Sequence, residues 1–180
     1  MFIHKKVLWI TRTAVLIALL VVLQAATIPL GNNFVTGSVV NLMLIISVMT
    51  CGIATGLTVA AISPVMPTLL GFGPTWPLIP FIAAGNIVLV LIWHYLGNRN
   101  FRIKYAAYVA ALVLGAIAKF LVLYFGVVQI AIPFILGLPA QSVLSYLFSF
   151  PQLITASIGG ICAIALLPTL KKAIGRERKG

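Results

Sequence analysis

The strongest constraint in this sequence is a series of long apolar runs, most of them close to the roughly twenty residues a helix needs to cross a bilayer. The first follows His4-Lys5-Lys6 and continues from residue 7 to about residue 28 with Arg12 as its one charge. Runs of this kind exclude a water-soluble fold. Hydrophobic residues make up 62% of the chain and charged residues 7%, where a soluble domain carries about 25% charged residues. A soluble core of this size still leaves much of its area wet and could not hide that surface. A transmembrane barrel would alternate apolar and polar residues over about ten positions. These runs are continuous and rich in Leu, Ile, Val and Ala, which predicts helices.

Gly, Pro and basic residues divide the chain into six spans, so the expected fold is an all-α membrane protein, one domain forming a bundle of six transmembrane helices. Helix one covers 7–28 and ends at Pro29-Leu30-Gly31-Asn32-Asn33. Its basic start and Ala25-Ala26 also suit a signal peptide, but the run is long for one and Arg12 interrupts it. A retained helix, with Arg12 snorkelling to the interface, is the favoured reading. Helices two and three, 34–50 and 52–70, are separated at Thr50-Cys51-Gly52. The loop Gly71-Phe72-Gly73-Pro74-Thr75-Trp76-Pro77 precedes helix four at 78–96, and a basic loop over 97–104 precedes helix five at 105–125. The stretch 126–141 contains Pro133, Gly137 and Pro139 and reads as a long, membrane-hugging loop. Helix six covers 142–170, with a kink expected at Pro151, and a basic tail follows.

The charge balance is lopsided, with 12 Lys and Arg against a single acid, Glu177. In a soluble protein this would suggest nucleic acid. Here the basic residues flank apolar runs, so they are read as setting membrane orientation, and no nucleic-acid partner is expected. Six helices place the start of the chain, the loop 97–104 and the tail on one side, and with Arg12 these hold every Lys and Arg except Lys119. The three opposite loops hold none. The expectation is a multi-pass protein of the cell membrane, surrounded by lipid, with both termini cytoplasmic.

Lys119 lies within helix five, roughly two turns from its outer end. An intramembrane charge is costly and marks a functional site by default. No acid lies nearby in the sequence, so Lys119 snorkels, is neutral, contacts a partner or lipid, or meets an anionic ligand. Polar groups gather toward the same side: Asn32, Asn33, Thr36, Ser38, Asn41, Trp76, Asn86, Tyr124, Gln129, Gln141, Tyr146 and Gln152. Each alone could serve helix–helix hydrogen bonding; as a set around an outward cavity they suit a ligand. Trp9, Trp93 and Tyr95 read as interface-belt residues. Ala14 and Ala18 share one face of helix one, and Gly52 and Gly56 one face of helix three, spacings that let helices approach closely.

Several chemistries lack their residues. No Gly-rich phosphate loop with a Lys is present, which leaves no ATP site. His4 and His94 are far apart, and Cys51 and Cys162 form no metal or disulfide pattern. No buried carboxylate can carry protons or sodium. The chain is therefore not expected to be an enzyme or to hold a cofactor or metal, and any pumping energy must come from a partner.

With Ala14-x-x-x-Ala18, Thr36-Gly37-Ser38-Val39-Val40-Asn41, Ser63-Pro64 and the segment from Pro77 to Asn86, the chain resembles the substrate-binding S components of energy-coupling factor (ECF) vitamin transporters. The resemblance covers most of the chain. It implies a bacterial membrane subunit that captures a water-soluble vitamin from outside and assembles with a transmembrane scaffold subunit and two ATPase subunits. It assigns scaffold docking to Ala14 and Ala18, and a ligand cavity to the outer side, between helices four to six and the outer loops. On this reading Lys119 is the counter-charge to a ligand carboxylate, in an acid such as pantothenate. Asn86 with Asn32, Asn33, Asn41, Gln129, Gln141 and Gln152 orient the ligand, and Trp76, Tyr124 and Tyr146 supply apolar walls. A stand-alone permease or channel, and a membrane scaffold subunit without a ligand, are the competing classes. An intramembrane enzyme is least favoured, for want of a catalytic pair.

Overall fold

The computed structural model describes residues 2–99, 105–139 and 142–177, and every regular element among them is helical. Helix α1 (Phe2–Thr27) ends in a short 3-10 turn, and α2 (Asn33–Cys51) follows after Asn32 caps it by accepting from the Phe34 N–H at 3.0 Å. Gly52, with φ of 91°, turns the chain directly into α3 (Ile53–Ile62). That backbone conformation is open to Gly and rarely to other residues. After Ser63-Pro64 comes α4 (Val65–Leu69), then α5 (Ile79–Gly97), α6 (Ala106–Leu123), α7 (Val143–Leu147) and α8 (Phe150–Glu177).

Among the described residues, five helical stretches are long and apolar enough to cross a membrane, and Ile53–Leu69 is apolar but shorter. The expected third span is thus a broken helix, and the cause is Pro64. Proline has no N–H to give to the carbonyl four residues back, here Ala60. The Ser63 hydroxyl donates to that Ala60 carbonyl instead, at 2.8 Å. A backbone group that lipid cannot satisfy is satisfied by a neighbouring side chain.

Two further boundaries differ from expectation. The stretch after Leu123 is not a loop but continues as a π-helix over Tyr124–Ile135. Turn signals such as Pro133 describe chains in water, which solvates an opened backbone. At membrane depth a lipid-facing irregular stretch would strand its polar groups, and a helix keeps them bonded. Val127, Val128, Ala131 and Ile132 form the buried side of this segment. The sixth expected span is two pieces, and Pro151 lies in the first turn of α8, where its missing N–H is tolerated, rather than kinking the interior.

The main core joins α1, α2, α3, α5, α6 and α8 through Leu20, Leu44, Ile45, Val48, Val59, Leu89, Val90, Trp93, Ala111, Ala163 and Leu167. Trp93, expected at an interface, is fully buried here. A second cluster of Leu78, Leu123, Val127, Ala131 and Ile132 closes the end of the bundle where the connections 28–32 and 70–78 and the described segments 136–139 and 142–149 lie. We refer to this as the loop end, and to the end carrying Lys6, Arg12, Arg99, Lys171 and Lys172 as the basic end. The extensive packing of α2 on α8 joins the two ends.

Gly159 lets α8 approach α2 closely. A Cβ there would lie 2.7 Å from both the Asn41 Cβ and the Ser38 carbonyl oxygen. Gly159→Val should therefore push the helices apart at a cost of about 1–3 kcal/mol. A drop of several degrees in the thermal midpoint of the detergent-purified protein is expected, and an unchanged midpoint would show that the contact is not tight.

Candidate functional site

Lys119 is the only buried charged side chain among the described residues, at 3% exposure. The apolar run that forms α6 carries it into the bundle, where α2 and α5 each present an Asn. Its Nζ donates to Asn41 Oδ1 at 2.5 Å and to Asn86 Oδ1 at 2.7 Å. Asn41 lies eight residues into α2, about 12 Å along the helix, so the site is deep below the loop end.

The directions of these bonds are forced. An ammonium only donates, so both Asn residues turn their oxygens to Lys119 and their NH2 groups away. Asn86 Nδ2 donates to Ser63 Oγ at 2.8 Å, and Asn41 Nδ2 donates to Thr155 Oγ1 at 3.3 Å. The hydroxyls must then donate onward, Ser63 to the Ala60 carbonyl at 2.8 Å and Thr155 to the Gln152 carbonyl at 3.2 Å. The Pro64 break is what frees Ser63 for both partners. One cation thus orders five elements. Hydrogen bonds to a charged group contribute about 1.5–3 kcal/mol each, but two carbonyl dipoles leave the net charge in place.

A cavity of about 180 Å³ opens on this network, lined by Lys119, Asn41, Asn86 and Ser63 together with Gln24, Thr36, Phe148 and Gln152. Above it, toward the loop end, a second volume of about 310 Å³ shares Gln24, Thr36, Pro67, Pro74 and Phe148 and adds Asn33 and Thr75. Small-molecule sites begin at about 300 Å³, so the space suits a small ligand. Its floor presents donors: Lys119 keeps the third of its N–H bonds, and each Asn a second one.

The structure brings Lys119, Asn41, Asn86 and Gln152 together on the cavity wall, with Asn33 above them. Asn32 and Tyr146 line a separate groove at the loop end, beside Asn33. Trp76 is exposed at the start of a 3-10 turn, Gln129 is exposed on the π-helix, and Tyr124 packs against Phe120 and Phe125. None of these three lines the cavity. Gln141 lies outside the described residues. Gln24, Ser63, Thr155 and Phe148 were not expected in the site. Gln24 was detectable as the one carboxamide inside the first apolar run, and Thr155 by its helical spacing of three from Gln152. The walls also include α1, α2 and the α3–α4 break, beyond the helices four to six and the outer loops that the resemblance implied.

The sequence model of the ECF transporter substrate-specific component matches residues 9–170, a range that holds every cavity residue named above. The chain belongs to this family. Neither a curated protein nor a solved structure matches it. As an ECF substrate-specific component it is a multi-pass membrane protein that binds a small-molecule substrate for the transporter. A cavity walled by most elements of the bundle is in keeping with that role.

Asn86→Leu removes one of two acceptors from a buried ammonium and should cost about 1–3 kcal/mol. Adding Lys119→Met removes the group left unsatisfied, so the double variant should melt higher than the sum of the two single effects. Additive shifts in the thermal midpoint would show that the two residues are not coupled.

Proposed function

We propose that this ECF component captures a small, water-soluble anionic nutrient of the vitamin type from outside the cell. The observation that carries this reading is the buried Lys119, whose charge the protein meets with neutral carbonyls at the floor of a cavity. In a medium of low dielectric constant an uncompensated cation attracts an anion strongly. A carboxylate accepts at two oxygens and matches the donor-rich floor, as in an acid such as pantothenate.

Orientation supports capture from outside. The basic end is taken as cytoplasmic, with both termini there, by the bias of Lys and Arg toward that side. The loop end and the upper volume then face out. Below the network, packed side chains including Leu44, Leu89, Val90 and Trp93 fill the bundle. That supports a binding subunit rather than a channel. Passage through the membrane, on this reading, needs a transmembrane scaffold subunit and two ATPase subunits, and this chain hydrolyses nothing itself. Ala14 and Ala18 are exposed on α1, the least buried of the five long apolar stretches. Their small side chains suit close approach by a partner helix.

Small molecules released from the purified protein and read by mass spectrometry should include a carboxylic acid. Lys119→Met should abolish its retention while the protein still inserts, since truncating one partner of a buried charge pair costs about 2–5 kcal/mol. Unchanged affinity would remove Lys119 from the site. Independently, Ala14→Trp or Ala18→Trp should prevent co-purification with the ATPase-bearing partner and spare ligand retention; intact assembly would refute the docking face.

A further inference from the structure

At the basic end, α1 and α8 both pack on α2 and barely touch each other. They leave an open cleft of about 420 Å³ with α2 as its floor. Met43 and Ile46 on α2, Val15 and Leu19 on α1 and Leu170 on α8 make it apolar. Its polar side chains, Arg12, Thr11 and Thr50, gather where the helices approach the basic end. Both hydroxyl protons are spent inside their own helices, Thr11 on the Val7 carbonyl at 3.0 Å and Thr50 on the Ile46 carbonyl at 2.6 Å. Arg12 has neither a hydrogen bond nor an ion pair among the described residues. The cleft therefore has the polarity of an amphiphile, a cation at one end and apolar walls over about 10 Å from Arg12 to Leu19.

Any acyl chain of the bilayer could fill the apolar part, so that part alone selects nothing. The guanidinium does. It stands about 7–8 Å inside the apolar run that begins at Val7, close enough for its side chain to reach the head groups. A guanidinium matches a phosphate with paired N–H bonds, and basic pockets between membrane helices hold anionic head groups. No carboxylate lines the cleft among the described residues to compete for it. We propose that the cleft binds one anionic phospholipid from the leaflet at the basic end, with its phosphate at Arg12 and an acyl chain along Val15, Leu19, Met43 and Ile46. That leaflet is the cytoplasmic one on the orientation proposed above. A protein helix laid in the cleft would bury Arg12 in apolar contact, whereas a phospholipid keeps it at the level of the head groups. The cleft shares no residue with the Lys119 cavity, and the two sites stand or fall separately.

Native mass spectrometry of the detergent-purified protein gives the affinity for the first lipid bound, with phosphatidylglycerol or phosphatidylcholine of the same acyl chains as probes. The wild type should prefer phosphatidylglycerol by about fivefold or more, the attraction of one basic residue for an anionic lipid. Arg12→Gln should remove about that factor. Lys172→Gln, at the same end but exposed outside the cleft, should leave the preference nearly unchanged. Leu19→Trp fills the apolar end and should weaken both lipids severalfold; if it fails to fold, Leu19→Phe should weaken both in the same direction. Equal falls in Arg12→Gln and Lys172→Gln would show diffuse attraction to the basic end and overturn the site. Lipid affinities untouched by filling the cleft would overturn it too, and leave the cleft to a protein helix. Glu177, the only acid in the chain, follows Ile174 of the cleft by three residues, and its side chain lies outside the described residues. Glu177→Gln should leave the preference as it is. A severalfold rise would make that carboxylate the partner of Arg12 and overturn the lipid.

Discussion

An ammonium group in hydrocarbon must be solvated by something, and in this chain the solvent is built from two asparagines. Lys119 can only donate, so its presence fixes the rotation of Asn41 and Asn86, and they in turn fix the hydroxyls of Ser63 and Thr155. The polarity runs outward from the cation until it ends on backbone carbonyls. Helices α2, α5, α6 and α8 and the end of α3 are thereby held in one register. Apolar packing alone would not single out that register, because in lipid there is no hydrophobic force between helices to reward it. The cost is a net positive charge left in the interior. In a structural role that charge would be a defect that an acid on any neighbouring helix could have removed. Kept uncompensated beside a cavity, it is the feature on which the proposed anion site rests.

Sequence and structure agree where the physics is local. A lysine in an apolar run is visible at once, and so are Asn41 and Asn86, because each interrupts hydrocarbon. The bundle was legible for the same reason. What failed were inferences borrowed from water. Pro133 and Gly137 looked like the breaks of a loop, but lipid penalises an opened backbone, and the chain stays helical to Ile135. Ser63-Pro64 was noticed only as part of a resemblance, although the missing proline N–H is what recruits the serine hydroxyl. Trp76 and Tyr124 were read as walls from their type and approximate depth. Depth says nothing of azimuth, and the cavity lies on a different side of their elements. Gln24 interrupts the first apolar run as Asn41 interrupts the second and was readable by that signal; which side of α1 faces a cavity was not.

Helix α1 joins these themes because its two sides differ in kind. Leu16, Ile17, Leu20 and Leu23 pack into the core and Gln24 closes the cavity wall. The opposite side shows Ala14, Val15, Ala18, Leu19 and Val22, all exposed. Lipid gains little from alanines at this spacing, since longer side chains would be equally soluble in it; a partner helix gains close contact. The proposed docking face and Gln24, which lines the cavity, are therefore carried on one rigid element, roughly 9–15 Å apart along its axis. A helix moves as a unit, so a partner seated on the proposed docking face would act on the wall that Gln24 lines. α1 is also the least buried of the long stretches, and hence the one whose displacement disturbs the fewest packed neighbours. The Lys119 network binds the other helices together and leaves α1 outside it. What ties α1 to the networked helices is apolar packing and the buried Thr13–Thr55 hydrogen bond to α3, at 3.2 Å.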